Sequence, residues 1–203
     1  MERYLVTHSL LSSWLYAISE NPYEDATTER DPMAEFLTVL RREPTPTTDA
    51  MQKGIDFENL VTAILNGTGD QTNEWYYTAN RVAGIIRGGI LQYSAKQQVR
   101  IGDRDVLLYG RLDALKGGVI YDIKYSGHYE AGKYFDSTQH PMYLRIVPEA
   151  REFSYLISNG KDFWQETYRR EETASIDGIV ANFYEWLDVQ GLDDLYRQHW
   201  QAL

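Results

Sequence analysis

The sequence predicts an α+β protein: a mixed central sheet containing a three-strand antiparallel meander, flanked by helices. Three observations predict it. Up to residue 93 the apolar side chains recur mostly at helical spacing. Between Ser94 and Tyr125 the period drops to two. After one further helix, two alternating strands meet across Asn159-Gly160, and the chain closes in helices.

Taken in order, Leu10, Leu11, Trp14, Leu15 and Ile18 mark a helix over Ser9–Ala17, which Asn21-Pro22 ends. Met33, Phe36, Leu37 and Leu40 give a second over Pro32–Arg42. Glu43 to Asp49 is a loop, and Thr48 or Asp49 caps a third helix, Ala50–Leu65, stopped by Asn66-Gly67-Thr68-Gly69. A fourth spans Glu74–Leu91 and is interrupted or ended near Gly88-Gly89. Strands Ser94–Ile101 and Val106–Leu115 join at Gly102-Asp103-Arg104-Asp105. Lys116-Gly117-Gly118 then turns the chain into Val119–Tyr125. A loop and a helix reach Val147, with Pro141 blurring the helix start. Strands Glu152–Ser158 and Asp162–Arg170 and helices Ile176–Val189 and Leu192–Ala202 complete one expected domain: 1–93 mainly helical, 94–170 the sheet and helix that carry the site, 171–203 helical.

Composition bounds the function. With 203 residues, 43% hydrophobic and 25% charged, the chain is an ordinary globular one. No apolar run approaches the ~20 residues of a membrane span, and the N-terminus lacks the basic leader of a signal peptide. There is no cysteine, which removes disulfides, cysteine zinc sites and iron–sulfur clusters, and fits a cytoplasmic setting. A net charge of −10 argues against a general nucleic-acid coat, while it suits a site of carboxylates that holds cations.

One stretch carries chemistry. Val119-Ile120-Tyr121-Asp122-Ile123-Lys124 is an apolar strand broken by two charges, and in a strand Asp122 and Lys124 share a side. Counting back from Gly117-Gly118, Asp113 on the preceding strand lands near Asp122. Two carboxylates ~4–6 Å apart repel unless a cation lies between them. Hard oxygen ligands favour Mg²⁺ or Mn²⁺, as one or two ions. Alone, an Asp-x-Lys on a strand is weak, because edge strands carry such charges toward solvent.

The order of the neighbouring residues adds weight. Gly110-Arg111-Leu112-Asp113 followed by Asp122-Ile123-Lys124 resembles the PD-(D/E)xK nuclease superfamily. Upstream, Gly54-Ile55-Asp56-Phe57-Glu58 lies on a helix where that family places an acidic residue, or a histidine in some branches. Downstream, Gln139-His140-Pro141-Met142-Tyr143 reads Q-x-x-x-Y, as in the RecB-like exonuclease branch, which includes CRISPR-adaptation and phage-type exonucleases. Thr7 to Trp14 is similar to the start of that branch's nuclease domain, so the resemblance runs from about residue 7 to 170. Leu112-Asp113 replaces the Pro-Asp of the family name, the cysteines of cluster-bearing members are absent, and 203 residues leave no room for a helicase domain.

The resemblance implies a restriction-endonuclease-like fold and metal-dependent hydrolysis of double- or single-stranded DNA. Its metal ligands would be Glu58, Asp113, Asp122 and the Ile123 backbone carbonyl, and Lys124 would orient the attacking water. Gln139 and Tyr143 would line the site and contact the DNA backbone or the metal's water shell. Arg111, Tyr125, His140 and Arg145 would be further DNA contacts. Arg145, Arg151, Lys161, Arg169 and Arg170 form either a phosphate-tracking surface or an ordinary solvated face. The branch implies an exonuclease in a phage or DNA repair and recombination setting, and its ring-forming members imply a homo-oligomer. A structure-specific or restriction-type endonuclease, and an inactive member that only binds nucleic acid or protein, are the alternatives.

Overall fold

The structure is a computed structural model that describes residues 3–19 and 31–202. Its elements are β1 (Tyr4–Thr7), α1 (His8–Ile18), α2 (Pro32–Leu40), α3 (Asp49–Leu65), α4 (Tyr76–Ile86), β2 (Ile90–Ile101), β3 (Arg104–Lys116), β4 (Val119–Tyr125), α5 (Gln139–Ile146), β5 (Glu152–Ser158), β6 (Phe163–Arg169), a 3₁₀ turn (Arg170–Glu172), α6 (Ile176–Gln190) and α7 (Asp193–His199). Seven helices among the described residues flank one mixed sheet, the α+β architecture expected from the sequence.

The helices start where side chains can satisfy free N–H groups. Thr7 accepts from Leu10, Asp31 from Met33 and Ala34, and Thr48 from Met51. The expected stop at Asn21-Pro22 lies outside the described residues. Two boundaries move. The fourth helix ends at Ile86, and Ile90-Leu91, expected in that helix, open β2 beyond Gly88 at φ +79. The final helix stops at His199, and Gln201 bridges back to Tyr4.

Sheet order is β1-β3-β4-β5-β6, with β2 on β3 as well. β2 runs antiparallel to β3 along nearly its whole length, from Ile90 opposite Leu115 to Ile101 opposite Arg104. The other edge of β3 is shared. Parallel β1 takes Val106 to Tyr109, and antiparallel β4 takes only Ala114 to Lys116. Residues 110–113 therefore face no strand on that edge, and the sheet forks there. The β3–β4 turn needs left-handed backbone at both central positions, supplied by Gly117 (φ +59) and Gly118 (φ +79). Beyond the fork β4 pairs in parallel with β5, so β4 is an interior strand.

Two apolar clusters sandwich the sheet. One packs α1, α2, α5, α6 and α7 against β1, β2, β3 and β5, around Val6, Phe36, Leu108, Phe153 and Phe183. The other packs α3 and α4 against Ala114, Ile123 and Leu156, with Phe57, Val61, Val82 and Ile86. Along β3, Leu112 belongs to the first cluster and Ala114 to the second, although two residues apart in a regular strand share a face. The alternation slips at Asp113, opposite Gln92, which has φ +50. That local irregularity sits at the fork, where a strand can re-aim a side chain.

Candidate active site

The fork collects six of the expected residues. Asp113 closes the gap from β3. Its Oδ2 accepts a hydrogen bond from the Ile123 backbone N–H at 2.7 Å, so a side chain takes over where the β3–β4 ladder stops. Asp122 projects from β4 toward α5 and is 5% exposed. Its Oδ1 accepts from Gln139 Nε2 at 2.5 Å. Its Oδ2 is ion-paired with Lys124 Nζ at 2.8 Å and takes no hydrogen bond from any other group among the described residues. Glu58 enters from α3, half-buried and within electrostatic reach of Asp122, Lys124 and Arg111. Asp56, two residues earlier, is exposed and accepts from Gln52 at 2.8 Å.

The Q-x-x-x-Y pair lies on one face because α5 begins at Gln139 and tolerates Pro141 in its first turn. Its roles are internal. Gln139 orients Asp122. Tyr143 is buried, with its hydroxyl donating to the Arg111 carbonyl at 3.1 Å, a carbonyl in the stretch that no strand pairs on that edge. A Cβ on Gly110 would overlap the Tyr143 ring, so the glycine and the tyrosine are fitted to each other. The expectation that Tyr143 contacts DNA is corrected: ring and hydroxyl are spent on the fork.

Electrostatics follow from crowding three carboxylates around Lys124, with Arg111 within reach of Glu58. Burial, and then the charge of Asp122, push the Asp113 carboxyl up to about 8, and the Ile123 N–H only partly opposes them. Glu58 is raised by burial and by Asp122. Burial alone would lower Lys124, but Asp122 and Asp113 outweigh it and hold the ammonium charged. The charge of Asp122 thus raises both of the other carboxyls. As the side chains stand, no three His, Cys, Asp or Glu among the described residues form a closed metal cage. The donor set, carboxylate oxygens only, is nonetheless of the kind a hard divalent ion takes.

Three proposed DNA contacts have partners within the protein. Tyr125 donates to the Asn159 carbonyl at 3.1 Å and packs against Trp75 and Phe57. His140 is 5% exposed and stacks on Tyr168 at 4.0 Å, inside the protein. Arg145 is tied to Asp177 and Gln97. Arg111 remains exposed on the solvent side of the fork. Of the five basic residues, Arg170 is bound to the Val147 and Ala150 carbonyls and Arg169 pairs with Glu172 at 3.8 Å.

Two groups at the site carry no expected role. Tyr134 stacks on Tyr155 at 4.4 Å, within electrostatic reach of Lys124 and Asp122. Its loop is pinned to β6 by Glu166, which accepts from the Tyr134 N–H and the Tyr129 and Tyr168 hydroxyls. His8 opens α1 with its ring edge-on to Tyr143 at 5.4 Å. Burial, then Lys124, lower its pKa to about 4, so it is neutral at physiological pH. Tyr134 lies in a segment whose sequence has no spacing signature, and His8 lies in the Thr7–Trp14 resemblance, which gives it no role.

Comparison with known proteins adds the fold and no more. No family model matches the chain, and no curated protein matches it. A solved structure described as SSO0001 superposes with a TM-score of 0.56 at 11% identity, over 94% of this chain and 78% of that one. No helix among the described residues is long and apolar enough to cross a membrane.

Proposed function

We propose that this protein is a nuclease that hydrolyses DNA phosphodiester bonds with Mg²⁺ or Mn²⁺ held by Glu58, Asp113 and Asp122. One observation carries the reading. Half-buried Asp113 and buried Asp122 meet at the sheet fork beside Lys124, and the charge of Asp122 raises the Asp113 pKa. A divalent cation bound there would polarise the phosphate and acidify a water. The remaining steps belong to the chain. Lys124, held charged by Asp122, directs the attacking water and offsets charge growing on the phosphate. Gln139 fixes the Asp122 carboxylate, and Tyr143 keeps the fork open by satisfying the Arg111 carbonyl. Arg111, exposed and near Glu58, is positioned to meet the substrate backbone.

Exonucleolytic action, and a place in phage or repair and recombination metabolism, follow from the Gln139–Tyr143 motif resemblance alone. The test is digestion of end-labelled linear DNA and closed circular DNA with Mn²⁺, wild type against Lys124→Ala. The expected result is loss of linear DNA only, by the wild type only. Cleavage of closed circles would instead make it an endonuclease with the same site. Absence of metal-dependent cleavage of either would overturn the nuclease reading.

A further inference from the structure

Building on the nuclease reading, we propose that His8 is a substrate-contacting residue of this site. Its imidazole N–H would donate to a non-bridging oxygen of the phosphate that lies against Lys124.

Position comes first. β1 pairs in parallel with β3 and its last pair is Thr7 opposite Tyr109, so the next residue, His8, stands level with Gly110, where the unpaired stretch of β3 begins. The backbone is fixed there from two sides. Thr7 caps α1 by accepting from the Leu10 N–H. The His8 carbonyl accepts from Thr138 Oγ1 at 3.0 Å, one residue before the glutamine that holds Asp122. The Tyr143 ring fixes the imidazole from the side. His8 is therefore built into the same frame as Gln139 and Tyr143.

The ring is also under-used. Among the described residues its only polar approach is Ser9 Oγ, 3.5 Å from Nε2, at the limit of a hydrogen bond. Half-burying an imidazole without firm partners costs stability that a leucine or phenylalanine against Tyr143 would avoid. A polar ring held so firmly with a nitrogen to spare suits a ligand that supplies the missing partner. The charge pattern gives that ligand's chemistry. The fork holds three carboxylates, which repel a phosphate and attract its counter-cation. Lys124, Arg111 and His8 are the donors within reach of them. An uncharged N–H adds a contact to the phosphate without competing with the metal for the carboxylates.

The test compares wild type, His8→Leu and His8→Asn for kcat and KM on linear DNA with Mn²⁺, together with thermal midpoint and Mn²⁺ affinity. A donor aimed at charge that develops in the transition state is worth on the order of 100-fold in kcat. His8→Leu should lose about that much, with Mn²⁺ affinity within about two-fold and no drop in midpoint. His8→Asn, which keeps an N–H, should recover to within about ten-fold of wild type. The proposal is overturned if His8→Leu keeps wild-type kcat, if asparagine rescues nothing, or if Mn²⁺ affinity falls more than about ten-fold, which would make the ring a metal ligand. Should His8→Leu fail to fold, the His8→Asn kinetics decide. If the wild type cleaves nothing, the nuclease reading is what has failed. The contact is then read from the His8 ring signals in NMR as thymidylyl-thymidine is added with Ca²⁺. A shift that His8→Asn weakens supports it, and no shift overturns it.

Discussion

Two charge clusters in this molecule have opposite constructions. At the C-terminal end Arg104 and Arg197 face Asp188 and Asp193, two cations for two anions. Arg104 pairs with both aspartates, with Asp188 at 2.7 Å, and Arg197 bonds Asp193 at 2.5 Å. Despite partial burial, the two arginines lower the Asp193 pKa, and both arginines are raised. Each partner stabilises the charge of the other, and the cluster is complete. At the sheet fork Glu58, Asp113 and Asp122 crowd around Lys124, with exposed Arg111 within reach of Glu58, and the Glu58 and Asp113 pKa values still move up. The first cluster locks α6 and α7 to β3. The second destabilises itself, which is how groups poised for chemistry or a cation differ from structural ion pairs.

Breaking the comparison at the fork should produce the largest effects. Asp122→Asn removes the oxygen beside Lys124 while keeping shape, and should cut cleavage of linear DNA by about a thousand-fold or more, since groups acting as a unit fail together. Gln139→Ala leaves the ligands and frees the Asp122 carboxylate to rotate. A loss of about 10- to 100-fold in kcat is expected, with KM little changed, because a misaimed group costs this much.

Stability sharpens the contrast. Gly110→Ala forces a methyl against the pinned Tyr143 ring and should cost about 1–3 kcal/mol in denaturant unfolding. The pH dependence has a definite sign. Asp113 folds with its pKa raised from ~3.9 to about 8, so the stability it contributes is full below pH ~4 and is lost as pH rises through about 8. Buried neutral His8 and His140, lowered to about 4, act oppositely, but only below their unfolded value of ~6.5. Between pH ~6.5 and ~8.5 the thermal midpoint of metal-free protein should therefore fall, and Mn²⁺ or Asp113→Asn should flatten the slope. The smallest effect belongs to the balanced cluster. Asp188→Ala breaks a pair whose acid is 55% exposed, and should cost at most ~1 kcal/mol and leave cleavage unchanged.

The sequence made the α+β class, most element positions and the fork's own residues readable, because each rests on local spacing. Period-two alternation finds β3 and β4, a double glycine sets their register, and Asp113 falls beside Asp122 as a consequence. Glu58 is separated from Asp56 by its spacing from Gly54 and its flanking Phe57 and Leu60-Val61, and in the structure Asp56 turns to solvent and Gln52. What escaped is tertiary. β1 is four residues long and is a strand because β3 offers it an edge. Ile90-Leu91 carry no signal against helix apart from the preceding glycines. His140, Tyr125 and Arg145 are residue types that suit a DNA surface, and only packing shows them occupied with Tyr168, Trp75 and Asp177. His8 and Tyr134 reach the site through β1 pairing and through Glu166, contacts that no linear pattern encodes.

The central claim is that the fork lacks a cation and takes a divalent one. Calorimetric titration of Mn²⁺ into metal-free wild type and Asp113→Asn, at pH 7.5, tests it directly. The account predicts one or two bound ions per chain in the wild type, proton release as Asp113 ionises, and affinity reduced at least about ten-fold in Asp113→Asn. Equal binding by the two proteins, or none by either, would contradict it.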